Sequence, residues 1–162
     1  MKAETKTVRL LKKTPSYKLT AHDGAIVAQH HYTGHTHAVV YFLQSAANER
    51  CRSYCRELSE RVAAARLYKT VIVGIAPEPV AELARAHQEL GLQFPLLSDV
   101  QCEVAARYGL IEKRWFRPAR RRPALVVHDK YGIAYFIAVP ENDAERAPWE
   151  EIEATLRRFP RG

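Results

Sequence analysis

Residues Ala38-Val39-Val40-Tyr41-Phe42-Leu43 form an unbroken apolar run, and a patterned segment begins at Cys51-Arg52-Ser53-Tyr54-Cys55 a few residues later. The first stretch is rich in β-branched and aromatic residues and has no polar alternation, the composition of a strand buried on both faces. In the second, Tyr54, Leu58, Val62, Ala65 and Leu67 recur near helical spacing with Arg and Glu opposite them, so Cys51–Tyr68 reads as an amphipathic helix. Another buried run, Thr70-Val71-Ile72-Val73-Gly74-Ile75, follows. Strand, helix and strand in this order call for a parallel crossover.

Towards the N-terminus, Val8–Leu11 and Tyr17–Thr20 read as short extended segments. His22-Asp23-Gly24 supplies a turn, Ala25–Ala28 a strand, and Thr33-Gly34 a break. Towards the C-terminus, Pro77 and Pro79 open a helix to about Leu90, which Gly91 ends. Ser98 or Asp99 caps a further helix, with Cys102 or Glu103 in its first turn and Gly109 closing it. Ala124–Val127 and Ile133–Val139 are strands joined at Asp129-Lys130-Tyr131-Gly132, and Pro148–Arg158 is an amphipathic helix carrying Trp149, Ile152 and Leu156. The expected fold is α/β: a central mixed sheet flanked by helices on both faces, in one domain spanning 1–162 with its core at about 15–159.

Composition bounds the function. With 162 residues and 47% hydrophobic content the chain can bury a core. No apolar stretch approaches ~18–20 residues, so neither a membrane span nor a membrane partner is expected. The start Met1–Lys6 is polar and Val8–Lys13 is too short and charged for a secretory segment, which makes the cytoplasm the expected location. Three cysteines, Cys51, Cys55 and Cys102, are too few and odd in number for a secreted disulfide framework, and a close pair suggests redox chemistry. The net charge of +7 gives only weak attraction to polyanions unless it is clustered.

The local text sharpens the fold. Pro15-Ser16-Tyr17-Lys18-Leu19 with Asp23-Gly24, then Gly34 and Val39-Val40-Tyr41-Phe42, then Val73-Gly74-Ile75-Ala76-Pro77-Glu78 recur in an ordered set. Phe94-Pro95-Leu96-Leu97-Ser98-Asp99, Val104-Ala105-Ala106-Arg107-Tyr108-Gly109 and Pro123-Ala124-Leu125-Val126-Val127 continue it. In shared order and spacing the chain resembles the thioredoxin-like redoxins and peroxiredoxins, the alkyl hydroperoxide reductase and thiol-specific antioxidant family, from about Pro15 to Phe159. The resemblance implies a thiolate at a helix N-terminus that attacks a peroxide or disulfide, with a second thiol resolving the product.

Two alignments compete at the site. In one, the redoxin pattern Cys-x-x-Cys-Arg matches Cys51, Arg52 and Leu58 and places Asn48 at the nucleophilic position, which implies a degenerate site and a partner-binding or accessory module. In the other, Cys51 is the peroxide-reacting residue and Cys55 its candidate resolving thiol. Gln44 and Asn48 then stand where the family carries a Pro and a Thr. Arg50 and Arg52 flank Cys51, and cations favour a thiolate. Cys51 and Cys55 are four apart and share a helix face. Cys102 reads as structural. Thioredoxins carry a cis-proline where Pro123 falls, so Arg122–Pro123 is expected to be cis, the alternative being a trans proline opening a strand. Peroxiredoxins bring an arginine to the thiolate from this region, a role the resemblance offers to Arg122.

Two clusters remain. His30, His31, His35 and His37 suggest metal ligation, but no Cys or carboxylate lies at familiar spacing, and a solvated loop is the better reading. Arg114, Trp115, Phe116, Arg117, Arg120 and Arg121 combine charge with aromatics in a loop, a candidate contact for a second subunit in a homodimer, an acidic protein or, least favoured, a nucleic acid. An active enzyme of this kind needs an external thiol reductant such as a thioredoxin, and neither a metal nor an organic cofactor.

Overall fold

The structure is a computed structural model that describes residues 8–141 and 145–160. The polar start Met1–Lys6 lies outside them. Nine strands and five helices follow in chain order: β1 (Lys18–Ala21), β2 (Ile26–Ala28), β3 (His37–Phe42), α1 (Glu49–Ser59), α2 (Val62–Arg66), β4 (Thr70–Ala76), α3 (Val80–Leu90), β5 (Leu96–Ser98), α4 (Glu103–Arg107), β6 (Ile111–Arg114), β7 (Arg117–Arg121), β8 (Ala124–His128), β9 (Ala134–Ala138) and α5 (Trp149–Arg157), counted among the described residues. Seven strands form one sheet in the order β2-β1-β5-β4-β3-β8-β9. β3, β4 and β5 run parallel, while β1 and β8 pair antiparallel on either side of them. The mixed sheet expected from the element order is therefore present.

β3 explains why its sequence shows no polar alternation. Val39, Tyr41 and Leu43 enter one apolar cluster with α1, α2, α3 and α5, and Ala38, Val40 and Phe42 enter a second cluster with α4 and the N-terminal segment. Both faces are covered, so both sets of side chains are apolar. β4 repeats the pattern, with Gly74 at the tightest point: a Cβ there would lie 2.8 Å from Leu96 Cδ2. The bare backbone lets β5 pack closely.

Several sequence expectations are corrected. Cys51–Tyr68 is two helices, because α1 ends at Ser59, whose buried hydroxyl accepts from the Gln93 amide, and the chain turns before Val62 re-enters the core. Val8–Leu11 is not extended: it bends, and the following residues hydrogen-bond along the start of β9 through Leu11, Lys12 and Thr14. β5 lies inside the Phe94–Asp99 motif, and three residues are too short to show a period. The basic aromatic segment expected as a loop is the β6–β7 hairpin, Ile111–Arg121. Asp99 does serve α4, but from outside its first turn: its carboxylate accepts from the Val104 and Ala105 amides, while Cys102 begins the helix at φ 56°. Gly91 ends α3 at φ 61°, as read from the sequence.

Arg121 is buried, which removes it from the candidate partner surface. Its guanidinium donates to the carbonyls of Leu43 and Ile75, at the ends of β3 and β4, and pairs with Asp99 at 3.5 Å. Removing one partner of a buried pair strands the other charge. Arg121→Met is expected to destabilise the fold by about 3–5 kcal/mol, read from denaturant unfolding at neutral pH.

His128, at the end of β8, is also buried, and its Nδ1 faces the Asp129 carbonyl at 2.9 Å. Its Nε2 has no hydrogen-bond partner among the described residues. Burial pushes its pKa below the ordinary imidazole value. The folded chain thus keeps the ring neutral at pH values where the unfolded chain binds a proton, so stability falls as pH drops below ~6.5, by at most about 1.4 kcal/mol per pH unit for this residue. The slope of unfolding free energy between neutral and mildly acidic pH should be shallower in His128→Asn than in the wild type.

Candidate active site

The loop between β3 and α1 lies at the C-terminal edge of the parallel strands. Glu78, just beyond β4, clamps it: its carboxylate accepts from the Ser45 hydroxyl at 2.7 Å and the Ala46 amide at 2.9 Å. Arg52 holds the same loop from α1 by donating to the Ala46 carbonyl, and pairs with Glu89 at 2.9 Å. Asn48 is the N-cap of α1, with φ −77° and ψ 123°, and its side-chain oxygen accepts from the Cys51 amide at 3.0 Å. An asparagine here satisfies an amide that the first turn leaves without a helical partner.

Cys51 follows in that first turn. It is 3% exposed, and it forms part of the lining of a cleft of about 450 Å³. Gln44, Asn48 and Arg50 line the cleft from the loop and helix start, Tyr41 from β3, and Leu125 and Phe136 from β8 and β9. Arg50 makes no ion pair among the described residues and lies beside Cys51, so of the two flanking arginines it is the cation directed to the cleft. Tyr41 is buried and lines the same cleft as Cys51. Burial raises its pKa far above the ordinary phenol value, so its hydroxyl stays a proton donor.

The remaining wall is tied down by Tyr54, whose hydroxyl donates to the Ala147 carbonyl at 2.6 Å and whose ring lies edge-on to Tyr41 at 4.9 Å. Arg146 stacks over the Tyr54 ring and pairs with Glu57. The segment leading into α5 therefore covers α1 beside the thiol.

Cys55, one turn on, is fully buried, and burial pushes its thiol far above the ordinary value, with Cys51 nearby adding to the rise. All three cysteines are free thiols. Cys102 lies elsewhere, 3.6 Å from the Arg121 guanidinium. Arg122 is not among the residues lining the cleft; its guanidinium donates to the Pro140 carbonyl at 2.8 Å. Pro123 does line the cleft, but the Arg122–Pro123 peptide bond is trans, contrary to expectation. Pro123 leads directly into Ala124, which pairs with Phe42 in register, so an extended approach suffices and no tight turn is imposed. His37, read with its neighbours as part of a solvated loop, instead opens β3 as a buried ring whose Nδ1 accepts from the Lys130 amide at 2.8 Å. Among the described residues no group of three or more His, Cys, Asp or Glu is gathered as for a metal ion.

Tyr41, Tyr54, Glu78 and Arg146 escaped the sequence reading. Only Tyr41 carried a signal there, as the one hydroxyl in an otherwise apolar strand.

A thiol in the first turn of the helix after the first central strand, on a cleft that an arginine also lines, defines a thioredoxin-fold thiol protein. The AhpC/TSA family model matches residues 10–136, and the chain belongs to that family. A Mycobacterium tuberculosis H37Rv relative, named as a peroxiredoxin, is 33% identical over 107 residues, which cover 65% of this chain and 68% of the relative. Among solved structures, the peroxidoxin BcpB from Mycobacterium tuberculosis superposes with a TM-score of 0.81 at 20% identity, over 94% of this chain and 98% of that one. A thiol peroxidase from Chromobacterium violaceum superposes with a TM-score of 0.77 at 21% identity, over 92% and 86%. Both share the thioredoxin-like fold of this peroxiredoxin-like chain.

Proposed function

We propose that the chain is a thiol peroxidase in which Cys51 is the peroxide-reacting residue. The observation that carries this reading is the position of Cys51 in the first turn of α1, on a cleft wall that Arg50 and Tyr41 also line. A helix N-terminus and a nearby cation are the surroundings in which reactive thiols are ordinarily found. The Cys51 thiolate attacks the terminal oxygen of a hydroperoxide. An S–O bond forms as the O–O bond breaks, Cys51 becomes a sulfenic acid, and the released oxygen takes a proton and leaves as water or an alcohol. Gln44 and Arg50 offer donors to the peroxide, and the apolar wall of Leu125 and Phe136 accommodates an organic substituent.

An external dithiol, such as a thioredoxin in the cytoplasm, completes the cycle. One of its thiols condenses with the sulfenic acid and releases water. Its second thiol then displaces Cys51, which returns to the thiol while the reductant leaves as a disulfide. Cys55 is a poor resolving group in α1 as folded. Side chains four apart on a helix stand ~5–6 Å apart at Cβ, beyond the ~3.5–4.5 Å of a disulfide, so the bond requires the first turn to open. The degenerate-site reading is the weaker one, because Asn48 has a structural task as the cap of α1.

Peroxide consumption with a dithiol reductant tests the assignment. Cys51→Ser should lose at least about a hundredfold in rate, and Cys55→Ser should retain turnover within a few-fold of the wild type. Full activity in Cys51→Ser would remove the proposal, and loss of turnover in Cys55→Ser without loss of the first oxidation step would reassign resolution to Cys55.

A further inference from the structure

The β6–β7 hairpin forms its own two-stranded sheet, rooted in the fold at its base through Arg121 and Ile111 and exposed at its tip. Its turn is Trp115-Phe116, between the paired residues Arg114 and Arg117. Trp115 is 86% exposed and Phe116 98%, with ring centroids 6.0 Å apart. Phe116 has φ 61°, a conformation hairpin turns ordinarily give to Gly or Asn. A large aromatic is thus held at the apex in a backbone state that disfavours it.

Below the tip the hairpin is cationic: residues 111–120 hold Lys113, Arg114, Arg117 and Arg120 against the single carboxylate Glu112. Glu112 is 3.8 Å from Arg120, and Arg114 stiffens the turn by donating twice to the Pro118 carbonyl, at 3.0 and 3.2 Å. Lys113 and Arg117 make no ion pair among the described residues.

We propose that this hairpin is an interfacial anchor for an anionic lipid surface. The apical rings enter the boundary between headgroups and acyl chains, and Lys113, Arg114 and Arg117 lie at the level of the lipid phosphates. Aromatics at the apex with cations behind them match the order of layers that a bilayer presents. A protein partner fits less well: two aromatic side chains supply roughly 300–500 Å², whereas a stable interface needs ~800 Å² on each partner. A second copy of this chain is disfavoured by its net charge of +7. No helix among the described residues is long and apolar enough to cross a membrane, and the contact is a peripheral one. The inference is independent of peroxidase activity.

The test uses the full chain and sedimentation with vesicles. Binding is expected to equimolar phosphatidylglycerol and phosphatidylcholine, and not to phosphatidylcholine alone. Trp115 and Trp149 are the chain's two tryptophans. In a Trp149→Phe background, Trp115 emission should shift to the blue on binding and become shielded from acrylamide. The exposed double variant Trp115→Ser/Phe116→Ser should bind at least about tenfold more weakly with an unchanged circular dichroism spectrum, and Lys113→Gln and Arg117→Gln about fivefold more weakly each. The proposal is overturned if the wild type stays in the supernatant with the mixed vesicles, if it sediments equally with phosphatidylcholine alone, or if it binds without a change in Trp115 emission. Capture of an acidic protein or a single-stranded RNA by the tip, with no vesicle binding, would overturn it as well.

Discussion

Arg121 and Asp99 form a buried ion pair on which the C-terminal edge of the sheet depends. Both side chains are almost wholly shielded from water, at 7% and 3% exposure. A pair in that setting persists only when its remaining hydrogen-bonding capacity is used. Here it is: Arg121 spends its other donors on the Leu43 and Ile75 carbonyls, and Asp99 accepts from two α4 amides. One guanidinium therefore ties the ends of β3 and β4 to the start of α4. The loop that leads into α1 leaves from that edge, since Leu43 is the last apolar residue before it.

The loop itself is held by polar contacts from several directions. Glu78 grips it from beyond β4, Arg52 from α1, and Asn48 closes the helix start. Each is a charge-assisted or capping hydrogen bond to the loop or to the first turn. Their joint effect is to place a small thiol against a cleft without exposing it widely. A side chain that is 3% exposed is reached more readily by a small molecule than by a bulky one.

The two arginines flanking Cys51 divide the labour. Arg52 is committed to bracing the loop and to Glu89, while Arg50 borders the cleft. Adjacent residues on a helix point about 100° apart, so two cations in sequence next to a thiol are not two cations at the thiol. At the end of β7 successive side chains instead alternate sides, which separates Arg121 from Arg122: one passes into the sheet edge, the other reaches Pro140.

By itself the sequence determined the strand–helix–strand order from β3 to β4, the two-sided burial of those strands, the glycine that ends α3 and the helix that begins near Cys51. These follow from short-range periodicity and turn chemistry, which are written locally in the chain. It also supplied the ordered motifs that place the chain among the redoxins. It left two alignments open at Asn48 and Cys51, because a spacing of residues does not say which side chain borders a cavity. The tertiary structure decided that Tyr41 shares a face with Cys51, that Arg121 is internal, that Pro123 reaches the cleft through a trans bond and that residues 111–121 stand out as a hairpin. Those outcomes depend on which residues distant in sequence meet in space. Strand register and helix rotation set them, and neither leaves a mark in a local pattern of polar and apolar residues.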